Sequence, residues 1–203
     1  RHQLTSGAIV PRLLLILQFD GTGFCGWQFQ PNQPTVQDEL NKALALLYHQ
    51  PIAVTGAGRT DSGVHARRMY AHFDCDGSFP PAKLPAALNG NLPAGIRVLA
   101  VREVPATFSA RFSATRREYR YFIWTAPVVS PFLVRYALHY QPPLALAPMQ
   151  EAAALWLGTH DFNALCGDDP EEKNTVRTIF TSRVTVQGPL LCFTVASPAF
   201  LRG

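Results

Sequence analysis

The chain has 203 residues, 47% hydrophobic and 16% charged, which excludes a disordered tail and is enough for one large or two small domains around a buried core. Its net charge is +4, carried by 15 arginines and only 3 lysines. That bias suits planar, bidentate recognition of phosphate and stacking on bases, with a solvated basic surface as the plain alternative. Cys25, Cys75, Cys166 and Cys192 show no C-x-x-C spacing, so neither a zinc ribbon nor a disulfide framework is indicated, and four reduced thiols in a cytoplasmic protein are expected. The apolar run from Leu13 to Leu17 is too short for a membrane span, and no small-residue cleavage site follows it.

In chain order, residues 1–11 read as an N-terminal tail and Arg12 to Phe19 as a strand. Thr35 can cap a helix running to about Tyr48, with Val36, Leu40, Ala43, Leu44 and Leu47 on one face. Strands near Ile52 to Thr55 and Met69 to Phe73 flank the segment Gly58-Arg59-Thr60-Asp61-Ser62-Gly63. A Pro/Gly/Asn-rich stretch from Ser78 to Gly95 holds a short helix, and Ile96 to Val104 reads as a strand. Tyr119 to Trp124 then reads as a strand and Ala147 to Leu157 as a helix. Arg177 to Val186 and Leu190 to Ala196 are strands joined by Gly188-Pro189, while His160 and Asp161 read as structural and turn residues. Strand, helix, strand, strand recurs in residues 12–107 and 108–203, which suggests a duplicated α+β unit with a cleft between the halves.

Within Gly58 to Gly63 the glycines allow a tight turn, and small neighbours leave Asp61 room to face a ligand. A buried carboxylate beside a guanidinium such as that of Arg59 stays charged, as a nucleophile or base must. Turn chemistry alone also explains Asp, Ser and Gly here. The G-x-x-x-x-G spacing imitates a phosphate loop, but Val64 and His65 stand where lysine and a hydroxyl residue belong. Nor does Gly56-Ala57-Gly58 continue as a dinucleotide fingerprint, because Asp61 takes the place of the third glycine.

Arg111, Arg116, Arg117 and Arg120 lie interleaved with Phe112, Tyr119, Tyr121 and Phe122, with Glu118 the only acid among them. Cations that follow a phosphate backbone and rings that stack on unpaired bases suit single-stranded or flipped-out RNA, whereas a basic edge strand with core aromatics is the simpler alternative. Phe19-Asp20-Gly21-Thr22 at the end of an apolar strand imitates a haloacid dehalogenase nucleophile loop. The attacking aspartate would stand at Gln18, so no phospho-aspartate can form.

Phe19-Asp20-Gly21-Thr22, Gly26-Trp27-Gln28, Thr35-Val36-Gln37, Gly58 to Ala66, Asn91-Leu92-Pro93, Phe108-Ser109-Ala110-Arg111-Phe112 and Tyr119-Arg120-Tyr121 stand in order along the chain. His160-Asp161-Phe162, Arg177-Thr178-Ile179 and Ala199-Phe200-Leu201 follow. In order and spacing this set resembles the tRNA pseudouridine synthase A family from Arg12 onward. The resemblance implies an α+β fold: two similar halves, ferredoxin-like or RRM-like, sharing a mixed, mostly antiparallel sheet with helices on one side and a central cleft. It implies a homodimeric enzyme that isomerises uridine to pseudouridine in the anticodon stem-loop of tRNA without metal or organic cofactor; an RNA-binding module without catalysis is the alternative. Asp61 matches the catalytic aspartate, Arg59 its arginine partner that helps displace the base, and Tyr119 the tyrosine that stacks on the uracil. Arg111, Arg117, Arg120, Thr60, His65 and Asn91 are the further substrate-binding candidates. The family pattern continues past Leu201, so the second half is expected to be truncated at its C-terminal end. Whether Asp61 attacks ribose C1′, attacks uracil C6 or removes a C2′ proton is left open.

Overall fold

The computed structural model describes residues 10–76, 79–166 and 174–201. The chain divides into two compact units, 1–114 and 115–203.

In the first unit, strand β1 (Arg12–Phe19) buries alternate residues Leu13, Leu15, Leu17 and Phe19, the period-two pattern of a strand with one face on a core. Each such side chain contributes about 1.5–3 kcal/mol on burial. Helix α1 (Val36–Tyr48) starts where the Thr35 hydroxyl accepts the Asp38 N–H at 3.3 Å, with Asp38 and Glu39 favourably placed in its first turn. It stops at His49, whose backbone is left-handed. Strands β2 (Thr55–Gly56) and β3 (Ala66–Asp74), helix α2 (Leu84–Asn91) and strand β4 (Ile96–Val104) follow. The sheet order is β2-β3-β1-β4, with every neighbour antiparallel. Val36, Leu40, Ala43 and Leu44 of α1 and Leu84 and Leu88 of α2 complete the core against β1, β3 and β4. Residues 105–113 close this unit: Ala110 is buried in the same core and Phe108 packs on it.

The second unit comprises β5 (Arg117–Trp124), β6 (Leu138–His139), α3 (Leu146–Ala154), β7 (Gly158–Asp161), β8 (Val176–Ile179), β9 (Thr181–Gln187) and β10 (Leu190–Ser197). Its main sheet has the order β6-β5-β10-β9, and β7 pairs with β8 as a separate ribbon. The duplication read from element order is visible in the topology. β1–α1–β2–β3 yields neighbours β2-β3-β1, and β5–α3–β9–β10 yields β9-β10-β5. Each unit has its own hydrogen-bonded four-stranded sheet. The long strand expected over Arg177 to Val186 is two strands, because the chain changes partner at Phe180: β8 pairs with β7, whereas the Phe180 N–H bonds the Ala196 carbonyl at 3.0 Å and β9 continues along β10. Among the described residues no helix is long and apolar enough to cross a membrane.

Candidate active site

Asp61 sits on the connection between β2 and β3, and four of the sequence motifs converge to hold that connection. The Trp27 N–H donates to the Thr60 carbonyl at 3.0 Å, the Gly63 N–H to Phe24 O at 3.3 Å, and the Ser62 hydroxyl to the same oxygen at 3.3 Å. Gly63 (φ +77°) makes the turn in the left-handed region. Gly26 (φ +87°) crosses so closely that a Cβ there would lie 2.4 Å from Thr60 O. Trp27, 2% exposed, fills the space beneath. The carbonyls of Gly26 and Trp27 in turn accept the N–H groups of Val36 (3.2 Å) and Gln37 (3.1 Å), satisfying two donors of the first turn of α1. The Gln37 amide accepts the Phe29 N–H at 2.8 Å and donates to Val54 O at 2.7 Å. The first turn of α1 and the approach to β2 thus share one main-chain scaffold.

Asp20 and His65 form the other brace. One Asp20 carboxylate oxygen accepts from the Thr22 N–H at 2.9 Å and the Thr22 hydroxyl at 2.6 Å, and lies 3.1 Å from His65 Nδ1. That nitrogen also receives the Gly21 N–H at 3.0 Å. The motif that imitates a phosphatase nucleophile is therefore a clamp on the far end of the Asp61 loop.

The structure brings Arg59, Thr60, Asp61 and His65 together on this loop, with one correction. Asp61 and Arg59 are both exposed and form no ion pair among the described residues, so the carboxylate is not buried against a guanidinium as the sequence suggested. The loop's inward-facing bonds are made by its main chain, which turns these two side chains to solvent. The Thr60 hydroxyl is buried without a hydrogen-bond partner among the described residues. Asn91 ends α2 and is exposed, its amide donating to Ala87 O at 2.9 Å. Arg111 lies in the closing segment of the first unit, its guanidinium 5.3 Å from the centre of the Phe112 ring.

The remaining candidates are in the second unit. Strand alternation puts Arg117, Tyr119 and Tyr121 on one face of β5, and Glu118, Arg120 and Phe122 on the other. Tyr119 is 40% exposed and meets Phe200 edge-on, ring centres 5.0 Å apart. The Arg117 guanidinium donates to the Pro198 carbonyl, which ties down the segment carrying Phe200. Glu118 is gripped by Arg116 at 2.5 Å and Arg120 at 2.8 Å, and these cations hold its carboxyl below the usual carboxylate range. The only acid in the basic stretch thus engages two of its arginines. Arg120 and Phe122 also line an open groove of about 440 Å³ with Arg183, Thr185, Cys192 and Thr194. Among the described residues no cluster of His, Cys, Asp or Glu could hold a metal ion.

Two elements of the clamp escaped sequence reasoning: Trp27 and Gln37 were visible only as motif letters.

The family model described as tRNA pseudouridine synthase matches residues 15–113 and 152–203, which include the Asp61 loop. The chain is 44% identical over 191 residues to a tRNA pseudouridine synthase A of Halalkalibacterium halodurans, covering 94% of this chain and 73% of that protein. It is 43% identical to the protein of that name from Methylacidiphilum infernorum, covering 92% and 74%, and 44% identical to that of Bacillus subtilis, covering 83% and 69%. Identity at this level over nearly the whole chain, with the motifs that build the loop inside the matched region, means that the chain belongs to the tRNA pseudouridine synthase family.

Proposed function

We propose that this protein isomerises uridine to pseudouridine in the anticodon stem-loop of tRNA, with Asp61 as the reacting carboxylate. The observation that carries the proposal is the contrast within one loop: the backbone of Thr60 and Gly63 is hydrogen-bonded to Trp27 and Phe24, yet the Asp61 side chain is exposed and has no partner among the described residues. A carboxylate on a pinned backbone, with its own bonding capacity unspent, is prepared to meet a substrate rather than to stabilise the fold.

Reactant and product are isomers, so no electron or phosphate donor is consumed. The N-glycosidic bond breaks, the uracil turns over, a C–C bond to ribose forms, and the C5 proton leaves to a base. The target uridine must first leave its stack, at a cost of a few kcal/mol. Arg59, two residues before Asp61, supplies a cation to fill the space the base leaves and to pair with the carboxylate once RNA excludes water. Tyr119, steadied edge-on by Phe200, offers a ring to the extruded base. The phenol is also a candidate acceptor for the C5 proton. Arg111, Arg117, Arg120, Thr60, His65 and Asn91 are proposed to assist RNA binding. For His65 and Arg117 this works by holding the loop and the Phe200 segment. The active species is proposed to be a cytoplasmic homodimer that needs neither metal nor organic cofactor.

The test is release of tritium from tRNA carrying C5-labelled uridine, with the modified position mapped in the product. Release matched one-for-one by pseudouridine in the anticodon stem-loop supports the proposal. Tight binding of tRNA by the full-length protein without release refutes it.

A further inference from the structure

A second convergence of polar groups occupies the opposite end of β1 from the Asp61 clamp. Arg12, the first residue of β1, pairs with both carboxylate oxygens of Asp74 at 2.7 and 2.8 Å, and donates to the carbonyls of Ala106 and Phe108, both at 2.7 Å. His72, 8% exposed on β3, accepts the Ala110 N–H on Nδ1 at 3.1 Å, and its ring meets Phe108 edge-on at 6.2 Å. The next residues form a closed turn, with the Ser113 N–H on Ser109 O at 2.7 Å and the Ser109 N–H on Ser113 Oγ at 3.1 Å. From this turn Arg111 and Phe112 project, the ring 82% exposed with the guanidinium on it. A lone exposed phenylalanine is unremarked on most proteins. Here a guanidinium and a buried imidazole both hold the backbone that presents it, and a cation on an open ring can take a phosphate and a nucleobase together.

We propose that His72 is a positioning residue: through the Ala110 N–H it fixes the turn of residues 109–113 so that Arg111 and Phe112 grip the tRNA away from the nucleotide being isomerised. This rests on the proposed function. The separation follows from β3, which leaves the Asp61 connection at Ala66 and reaches His72 six residues later, about 20 Å at roughly 3.3 Å per residue. A grip at that distance contributes to RNA affinity and leaves the chemistry alone. The imidazole must keep Nδ1 unprotonated to accept the Ala110 N–H. Burial, and then the charge of Arg12, keep it below its ordinary pKa against the opposing pull of Asp74. An asparagine at 72 carries an acceptor in nearly the same place, whereas leucine fills the volume without one.

The experiment measures kcat and KM for tRNA with the full-length protein and its His72→Leu, His72→Asn, Arg111→Ala and His72→Leu/Arg111→Ala variants. His72→Leu is expected to raise KM about 5–10-fold, the worth of one displaced contact, with kcat within about twofold. His72→Asn should restore KM to within about twofold of the parent. Arg111→Ala should raise KM similarly without lowering the unfolding temperature, and the double variant should be no worse than Arg111→Ala alone. Unchanged KM in His72→Leu, a loss confined to kcat, no rescue by asparagine, or additive effects in the double variant would overturn the proposal. If His72→Leu does not fold, unchanged KM in the surface variant Arg111→Ala overturns it equally. A parent protein that forms no pseudouridine in tRNA refutes the proposed function instead, so the two failures are distinct.

Discussion

Replacing Gly26 by alanine tests whether the main-chain clamp, rather than the Asp61 side chain's own contacts, sets the site. The added Cβ would lie 2.4 Å from Thr60 O, and ordinary contact begins at 3.4 Å, so the carbonyl must withdraw by about 1 Å. The residue would also be held at φ +87°, which costs about 1–2 kcal/mol for an L side chain. Withdrawal weakens the bond from the Trp27 N–H, worth about 1 kcal/mol more. The total of about 2–3 kcal/mol corresponds to a fall of roughly 10 °C in unfolding temperature for a unit of this size. Asp61 follows Thr60 directly, and a displacement of about 1 Å at a reacting group costs about 100-fold in turnover. Calorimetry and single-turnover pseudouridine formation read the two effects separately. Gly23→Ala is the control, because a Cβ there meets nothing within 4 Å. If Gly26→Ala matches Gly23→Ala in both measurements, the clamp does not position the carboxylate.

Gln37→Leu removes the bridge between Phe29 N and Val54 O and should cost about 2 kcal/mol, seen as a lower denaturant midpoint for the first unit. Tyr119→Phe keeps the ring against Phe200 and should leave tRNA affinity unchanged in a filter-binding assay; weakened binding would contradict the stacking role. Turnover in the same variant reports whether the phenol also carries the C5 proton, a step worth about 100-fold or more. The Arg12 guanidinium holds Asp74 below the usual carboxylate range, and burial lowers His72. Both folded-state values lie beneath their unfolded ones, so the unfolded chain binds more protons and stability rises with pH through each window. Unfolding followed against pH should therefore show full stability above His72's ordinary value of 6.5, a decline below it, and a second decline below Asp74's ordinary 3.8. Asp74→Asn should shrink the second decline, leaving the part carried by Glu118, which Arg116 and Arg120 also hold low.

Much of the first unit was legible because its local signals agree with its packing. The alternating leucines of β1 and the Thr35 cap with its apolar helix face each predict the element that forms. β2 shrank to two residues because Ile52 and Val54 are buried by packing rather than by ladder bonds, and apolar letters do not distinguish the two. β6 and β7, at two and four residues, are too short to show a period. In the site, the turn at Asp61 and the value of its glycines could be read locally. Its exposure could not, since that depends on which loop atoms bond residues 24–27. Counting charges in the basic stretch likewise hides that Glu118 engages Arg116 and Arg120. The link from His72 to Ala110 spans 38 residues and is beyond any window-based reading.

The most direct test of the account is Asp61→Asn, which removes the charge and keeps the size of an exposed side chain that makes no bond among the described residues. The variant should unfold at the parent's temperature and bind tRNA with the parent's affinity, yet release no tritium from C5-labelled uridine. Release at the parent's rate would show that this carboxylate does not carry the reaction.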